Sequence, residues 1–311
     1  MTTPAQAMLQ AKLDRGLPVI LDGGTGTELQ RRGATMDDGA WCALATLSHP
    51  DLLRAVHADY VTAGADIVTA NTFSTLPHLL DRSGRGSLAP ELLRKAVAIT
   101  KEAASAAGRP VAVAGSISTT RMPRADGWYI ELAEEWPLAR AERDLVATAR
   151  ILADAGCDLL MLEMIGDLAY GHAAYRAARA TGLPVWVGVS ARMGPDGHLV
   201  TFDEGGPRLD ALLDGVVSWR PDAIGIMHST IPDTGPALEM LLERWSGPRV
   251  VYPEAGWFQM PNWQFVEIEP EGFALTAAGW RRVGASVLGG CCGLGPGHIA
   301  ALTRTLLRPA P

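Results

Sequence analysis

Asp158-Leu159-Leu160-Met161-Leu162-Glu163 lies between two stretches of helical periodicity, residues 136–155 and 168–180, which close at Gly156 and Gly182. Its interior is wholly apolar. It lacks the polar alternation of a strand with one face in water, so it reads as a strand buried on both faces of a sheet. Similar runs recur at residues 18–22, 66–70, 110–116, 184–190, 222–228, 249–254 and 285–291, which makes eight candidate strands. Helical periodicity returns between them at 50–63, 89–107, 209–219, 236–245 and 296–307, several of these opening on proline and closing near a glycine such as Gly64 or Gly108. Eight parallel β/α units within about 300 residues predict an α/β fold of the closed (β/α)8 TIM-barrel type rather than an open doubly wound sheet. No low-complexity linker divides the chain. Residues 1–311 are therefore expected to form a single domain, with a short tail at 308–311.

The composition fits that expectation. The chain has 311 residues, 48% hydrophobic and 20% charged, enough to bury a full core. Its net charge is -7 with no Lys/Arg block, so a nucleic-acid backbone would find little to hold it. Residues 1–13 lack the basic start and apolar run of a signal peptide, and no stretch approaches the length of a membrane span. The expected location is the cytoplasm, with no membrane partner. Four cysteines in a chain of this length give no disulfide framework. Homo-oligomerisation is left open.

In a barrel of this kind the reacting groups stand at the carboxyl ends of the strands. Those ends carry Asp22, Asn71, Ser116, Glu163, Ser190, His228, Glu254, Cys291 and Cys292, a polar crown on an apolar floor. The run Asp22-Gly23-Gly24-Thr25-Gly26-Thr27-Glu28-Leu29 reads either as a tight turn or as a place where bare backbone amides meet an anion. It has neither the dinucleotide nor the P-loop spacing. Glu163, at the tip of an apolar strand, needs a partner: a substrate ammonium or a neighbouring basic side chain. The long connections 117–135 and 255–274, the second bearing Trp257, Phe258, Trp263 and Phe265, are expected either to cover the site or to pack on themselves.

Gly289-Gly290-Cys291-Cys292-Gly293 places two adjacent thiols between glycines where the last strand ends. One metal can use both sulfurs there because the backbone turns. A strained vicinal disulfide and two inert buried thiols are the alternatives. His228 ends the sixth barrel strand, and the ends of the sixth and eighth strands face the same central space. His228, Cys291 and Cys292 therefore form a candidate metal site. Cys42 and Cys157 have no partner spacing.

Taken in order along nearly the whole chain, these motifs resemble the zinc-dependent homocysteine S-methyltransferase family, which includes betaine-homocysteine methyltransferase and the homocysteine domain of cobalamin-dependent methionine synthase. The resemblance is carried by the glycine turn from Asp22, His49-Pro50, Thr69-Ala70-Asn71-Thr72-Phe73, Ala114-Gly115-Ser116, Cys157-Asp158 leading to Glu163, Tyr252-Pro253 and the glycine-cysteine motif. It implies Zn2+ held by three protein ligands, with the sulfur of a small thiol such as homocysteine as the fourth. It also implies that Asp22 and the amides that follow it, at Gly23, Gly24 and Thr25, hold the amino-acid end of homocysteine together with Glu163; Asn71 is a further candidate substrate-binding residue. The methyl donor it implies is an onium compound, sulfonium or quaternary ammonium, which leaves as a neutral molecule.

Several positions depart from the family pattern. Its sixth strand normally ends Asn-Cys, where this chain has Met227-His228. Its Glu-Thr pair is Glu163-Met164, its strand-seven Asn is Glu254, and the Gly-Pro after the third strand is replaced by Ile117-Ser118-Thr119-Thr120. With imidazole in place of a thiolate the site carries about one negative charge instead of two, which predicts a less electron-rich bound thiolate. Glu254 with Trp41, Trp257 and Trp263 reads either as a cage for a cationic donor or as tryptophans packing the loop with Glu254 paired to an arginine. A different thiol acceptor, demethylation of an onium compound, and a non-catalytic thiol- or metal-binding relic are the other readings.

Overall fold

In a computed structural model of the chain, which describes residues 2–119, 131–202 and 206–307, the apolar runs become parallel strands. The strands are β1 (Val19–Ile20), β2 (Ile67–Thr69), β3 (Ala112–Ser118), β4 (Leu159–Ile165), β5 (Val185–Val189), β6 (Ala191–Met193), β7 (Leu199–Thr201), β8 (Ala223–Thr230), β9 (Arg249–Glu254), β10 (Gly256–Gln259), β11 (Asn262–Phe265) and β12 (Val287–Leu288). Eight of them form one parallel sheet in the order β1-β12-β9-β8-β5-β4-β3-β2, and a parallel bridge between Leu21 and Ile67 closes the ring. The fold is the (β/α)8 barrel expected from the sequence. The pairs β6/β7 and β10/β11 are antiparallel hairpins on the carboxyl-end side.

Helices cover the barrel through apolar stripes. In Ala89–Ser105 the buried positions Leu92, Leu93, Ala96, Val97, Thr100, Ala103 and Ala104 recur every three or four residues. Each large apolar side chain so buried contributes roughly 1.5–3 kcal/mol. Helix Leu168–Arg179 starts where the Asp167 carboxylate accepts the amides of Ala169 and Tyr170.

At the amino-terminal end of the barrel, three aspartates tie neighbouring strands together. Asp66 accepts the Ile20 amide at 2.9 Å, Asp158 that of Val113 at 2.8 Å, and Asp222 that of Val185 at 2.7 Å. Each precedes its own strand and satisfies an amide of the strand beside it, so this end of the barrel serves stability.

Four expectations need correction. The helix expected at 236–245 is Ile231–Leu242, because Thr230 accepts the Asp233 amide and starts it early; Pro236 lies inside it at the loss of one backbone bond. The 255–274 connection is not a bare loop but hairpin β10/β11 followed by helix Pro270–Val283. Among the described residues, five further helices, Pro4–Asp14, Thr25–Arg31, Ala45–Ser48, Pro77–Asp81 and Leu132–Glu135, stand outside the expected helical stretches. The last barrel strand is shorter than 285–291, so Cys291 and Cys292 stand in the turn beyond it. Of the 117–135 connection, residues 120–130 lie outside the described residues, as does the tail at 308–311.

Candidate active site

The strand ends open into a cavity of about 350 Å³, at the small end of ligand-pocket sizes. Its wall includes Gly24, Thr25, Asn71, Glu163, His228, Glu254, Cys291 and Cys292, eight of the ten residues expected at the site. Asp22 and Gly23 are set behind the wall. The Asp22 carboxylate is fully buried and accepts the Thr69 amide at 2.6 Å, the Thr69 hydroxyl at 3.1 Å and the Tyr252 hydroxyl at 3.1 Å. Burial raises its pKa to about 7 against the pull of those bonds. Ser116 and Ser190 are buried off the wall, each hydroxyl unpartnered among the described residues.

Two irregularities aim the central side chains. The β4/β5 register shifts between Leu162 and Ile165, and Met164 takes a left-handed φ of 53°. The β8/β9 register shifts between Met227 and Thr230, and His228 takes a φ of 49°. A non-glycine residue in this region costs about 1–2 kcal/mol, and such strain collects at functional positions. The result is a buried triad. His228 Nδ1 lies 3.3 Å from Cys291 Sγ, and His228 Nε2 lies 2.7 Å from a Glu163 oxygen. The imidazole is flanked by Phe73, tilted at 5.3 Å, and by the edge-on Tyr252 ring at 6.3 Å.

The thiols of Cys291 and Cys292 are free, with sulfurs 3.8 Å apart. Their turn is pinned from both sides, with Cys291 N–H donating to Pro253 O and Ala255 N–H to Cys292 O. Gly293 closes the turn at φ 83°, and a Cβ there would fall 2.1 Å from the Ala255 carbonyl oxygen. Gly24 is constrained less tightly: its added Cβ would meet the Cys291 carbonyl oxygen at 2.7 Å. One ligand atom each from His228, Cys291 and Cys292 lies within 4.8 Å of the others, near enough to share one ion.

Charge in the cluster is coupled. The hydrogen bond from Cys291 and the neighbouring imidazole pull the Cys292 thiol down to about 6, while burial and the adjacent sulfur push Cys291 well above the usual thiol value. Burial opposes a charge on His228, but Cys292 and Glu163 outweigh it and raise the imidazole to about 10. Glu254 has no hydrogen-bond partner among the described residues, and burial raises its pKa well above the usual carboxylate value. A cation in the cavity would reverse that by giving the carboxylate a partner.

The expected ring faces all reach the cavity: Trp41, Trp257 and Trp263, joined by Phe258 and Phe73. Trp41 meets Phe258 edge to face at 5.5 Å, and the Trp263 indole donates to Ala255 O at 3.0 Å. Gln30 exchanges two hydrogen bonds with the Trp263 backbone, and the Arg31 guanidinium lies 4.5 Å over Phe265. These contacts fix the β10/β11 hairpin as one wall of the cavity.

Residue-by-residue reading missed Cys42, Arg192 and Thr230 on this wall. The Cys42 thiol faces Asn71 Oδ1 at 3.1 Å, and burial pushes its pKa up to about 12. Arg192 stands on β6, and its Nε is unpartnered among the described residues. Neither residue sits at the end of a barrel strand, so the rule that found the others passes over them.

The chain is similar to known proteins along nearly its whole length. Residues 19–306 match the family model described as homocysteine S-methyltransferase. Homocysteine S-methyltransferase 4 of Zea mays is 30% identical, with 92% of this chain and 89% of that protein covered. Homocysteine S-methyltransferase of Escherichia coli is 31% identical over 94% of this chain and 97% of its own, and the selenocysteine methyltransferase of Astragalus bisulcatus is 31% identical over 94% and 93%. The crystal structure of the homocysteine methyltransferase MmuM from Escherichia coli in its metallated form superposes with a TM-score of 0.71 at 26% identity, covering 96% of this chain and 99% of that one. No helix among the described residues is long and apolar enough to cross a membrane. The chain belongs to the homocysteine S-methyltransferase family.

Proposed function

We propose that this protein transfers a methyl group from an onium donor to the sulfur of homocysteine, with Zn2+ held by His228, Cys291 and Cys292. The donor set supports this reading. Two thiolates and one imidazole are a normal zinc set, and catalytic zinc keeps a fourth position for substrate. Tetrahedral geometry with Zn–S near 2.3 Å implies a sulfur separation of about 3.8 Å, and Cys291 and Cys292 stand at 3.8 Å. When bound, the ion keeps a thiol deprotonated at neutral pH and fixes its position.

The remaining work falls to the chain. The Thr25 hydroxyl is buried on the cavity wall without a partner among the described residues, beside the bare backbone of Gly24 and Gly26, and together they suit the carboxylate of an amino-acid thiol. Asn71 is locked by donation to Cys42 O and Thr46 Oγ1 and shapes the same side. Asp22 and Gly23 act from behind: Asp22 holds Thr69 and Tyr252, both of which line the cavity. Glu254 and the rings of Trp41, Trp257, Phe258 and Trp263 receive the cationic donor, since an unpartnered buried carboxylate beside ring faces favours positive charge. Transfer from an onium centre releases a neutral thioether or amine, so no general acid is needed. The ring faces also lower the share of cavity wall that can hold water beside the thiol.

The single observation carrying the proposal is the His228/Cys291/Cys292 cluster opening into the same cavity as Glu254. The test is a methyl-transfer assay with homocysteine and with other small thiols, against sulfonium and quaternary-ammonium donors, before and after chelation. Zinc-dependent methylation of homocysteine is expected; turnover that survives complete metal removal would overturn the assignment.

A further inference from the structure

We infer that Glu163 is a positioning residue for the imidazole of His228, holding its ring so that Nδ1 faces the two sulfurs. The inference rests on the metal reading above. A thiolate ligand needs no orienting partner because its sulfur offers lone pairs in several directions. An imidazole offers one lone pair and must place the N–H of its other nitrogen somewhere. Buried without an acceptor, that N–H would cost about 1–3 kcal/mol.

Glu163 meets that need. Its carboxylate lies 2.7 Å from Nε2, both side chains are almost fully buried, and no other hydrogen bond to the Glu163 carboxylate is found among the described residues. The opposite nitrogen, Nδ1, is the one nearer Cys291, at 3.3 Å against 3.9 Å for Nε2. Glu163 and His228 each stand at a register shift, on β4 and β8, two strands separated only by β5. A carboxylate accepting from a metal-bound histidine fixes the tautomer and makes the other nitrogen a stronger donor to the ion. It also returns to the cluster part of the negative charge that imidazole lacks relative to thiolate. Glu254 is then the cavity carboxylate left without a partner among the described residues.

The experiment measures zinc affinity by chelator competition on the full chain. It compares the parent, Glu163→Gln, His228→Cys and the double variant, with homocysteine KM determined in parallel. Glu163→Gln is expected to weaken zinc binding 10- to 100-fold in the parent and to have far less effect in the His228→Cys background, where no N–H needs orienting. If His228→Cys does not fold, imidazole 15N shifts of the zinc-loaded parent decide instead: metal on Nδ1 with the proton on Nε2 supports the inference, and metal on Nε2 overturns it. Equal zinc affinity in parent and Glu163→Gln, with only the homocysteine KM raised, would overturn this inference alone. A parent chain that takes up no zinc would overturn the metal reading and this inference with it.

Discussion

Mild acid should destabilise this fold through His57 and His78, neither of which lines the cavity. The His78 ring stacks on Trp136 at 4.0 Å and 15°, and neither of its nitrogens has a partner among the described residues. Burial, helped by Arg82 and Arg140, lowers its pKa to about 3, and burial alone does the same to His57. An unfolded histidine titrates near 6.5. Both groups are therefore neutral in the fold, and their contribution is complete above about pH 6.5. It is lost as pH falls from there toward 3, because only the unfolded chain takes up the proton. By pH 5 each histidine costs about 2 kcal/mol, growing by about 1.4 kcal/mol per further pH unit. Urea unfolding of the parent and of His78→Leu across this range reads the difference directly, and contributions from other groups cancel in the comparison. The variant is expected to start less stable at neutral pH, having lost the ring stack, and to lose less on acidification. Stability curves that run parallel from about pH 7.5 to 5 would refute the reasoning.

Gly293→Ala is expected to lose about 2 kcal/mol or more, from left-handed strain and the contact with Ala255 O, and to bind less metal; denaturant unfolding and metal analysis check both. Glu254→Gln should raise the KM for the onium donor at least about tenfold while leaving zinc content unchanged, as removal of a buried counter-charge implies; steady-state kinetics with donor varied decide it. Gln30→Ala should free the β10/β11 hairpin at the cost of about 1 kcal/mol per lost hydrogen bond, seen as faster amide exchange at Trp263 and weaker donor binding.

The barrel was legible because strands covered on both faces cannot alternate, and the run ending at Glu163 says so without help from its neighbours. Strand ends then located Asn71, Glu163, His228, Glu254 and the cysteine pair, because barrel topology converts a position in sequence into a place around one mouth. Partnership was not legible. Nothing in the sequence says that Glu163 meets His228, since that pairing depends on two register shifts on strands 65 residues apart in their contacting side chains. Nor does the sequence say that the Asp22 carboxylate meets Thr69 and Tyr252, contacts made across separate strands. Cys42 and Arg192 arrive from a loop and a hairpin, where periodicity carries no signal. The aromatic hairpin was hidden for a similar reason: its four-residue strands are too short for alternation to stand out from a loop.

The most direct test of the account replaces zinc by cobalt(II) in the full chain and follows the thiolate-to-metal absorption as homocysteine is added. Two cysteine sulfurs should give such a band, a third sulfur from homocysteine should intensify it, and Cys291→Ala or Cys292→Ala should weaken it at the start. A chain that takes up neither ion, or a cobalt spectrum indifferent to homocysteine at concentrations that support turnover, would contradict the account.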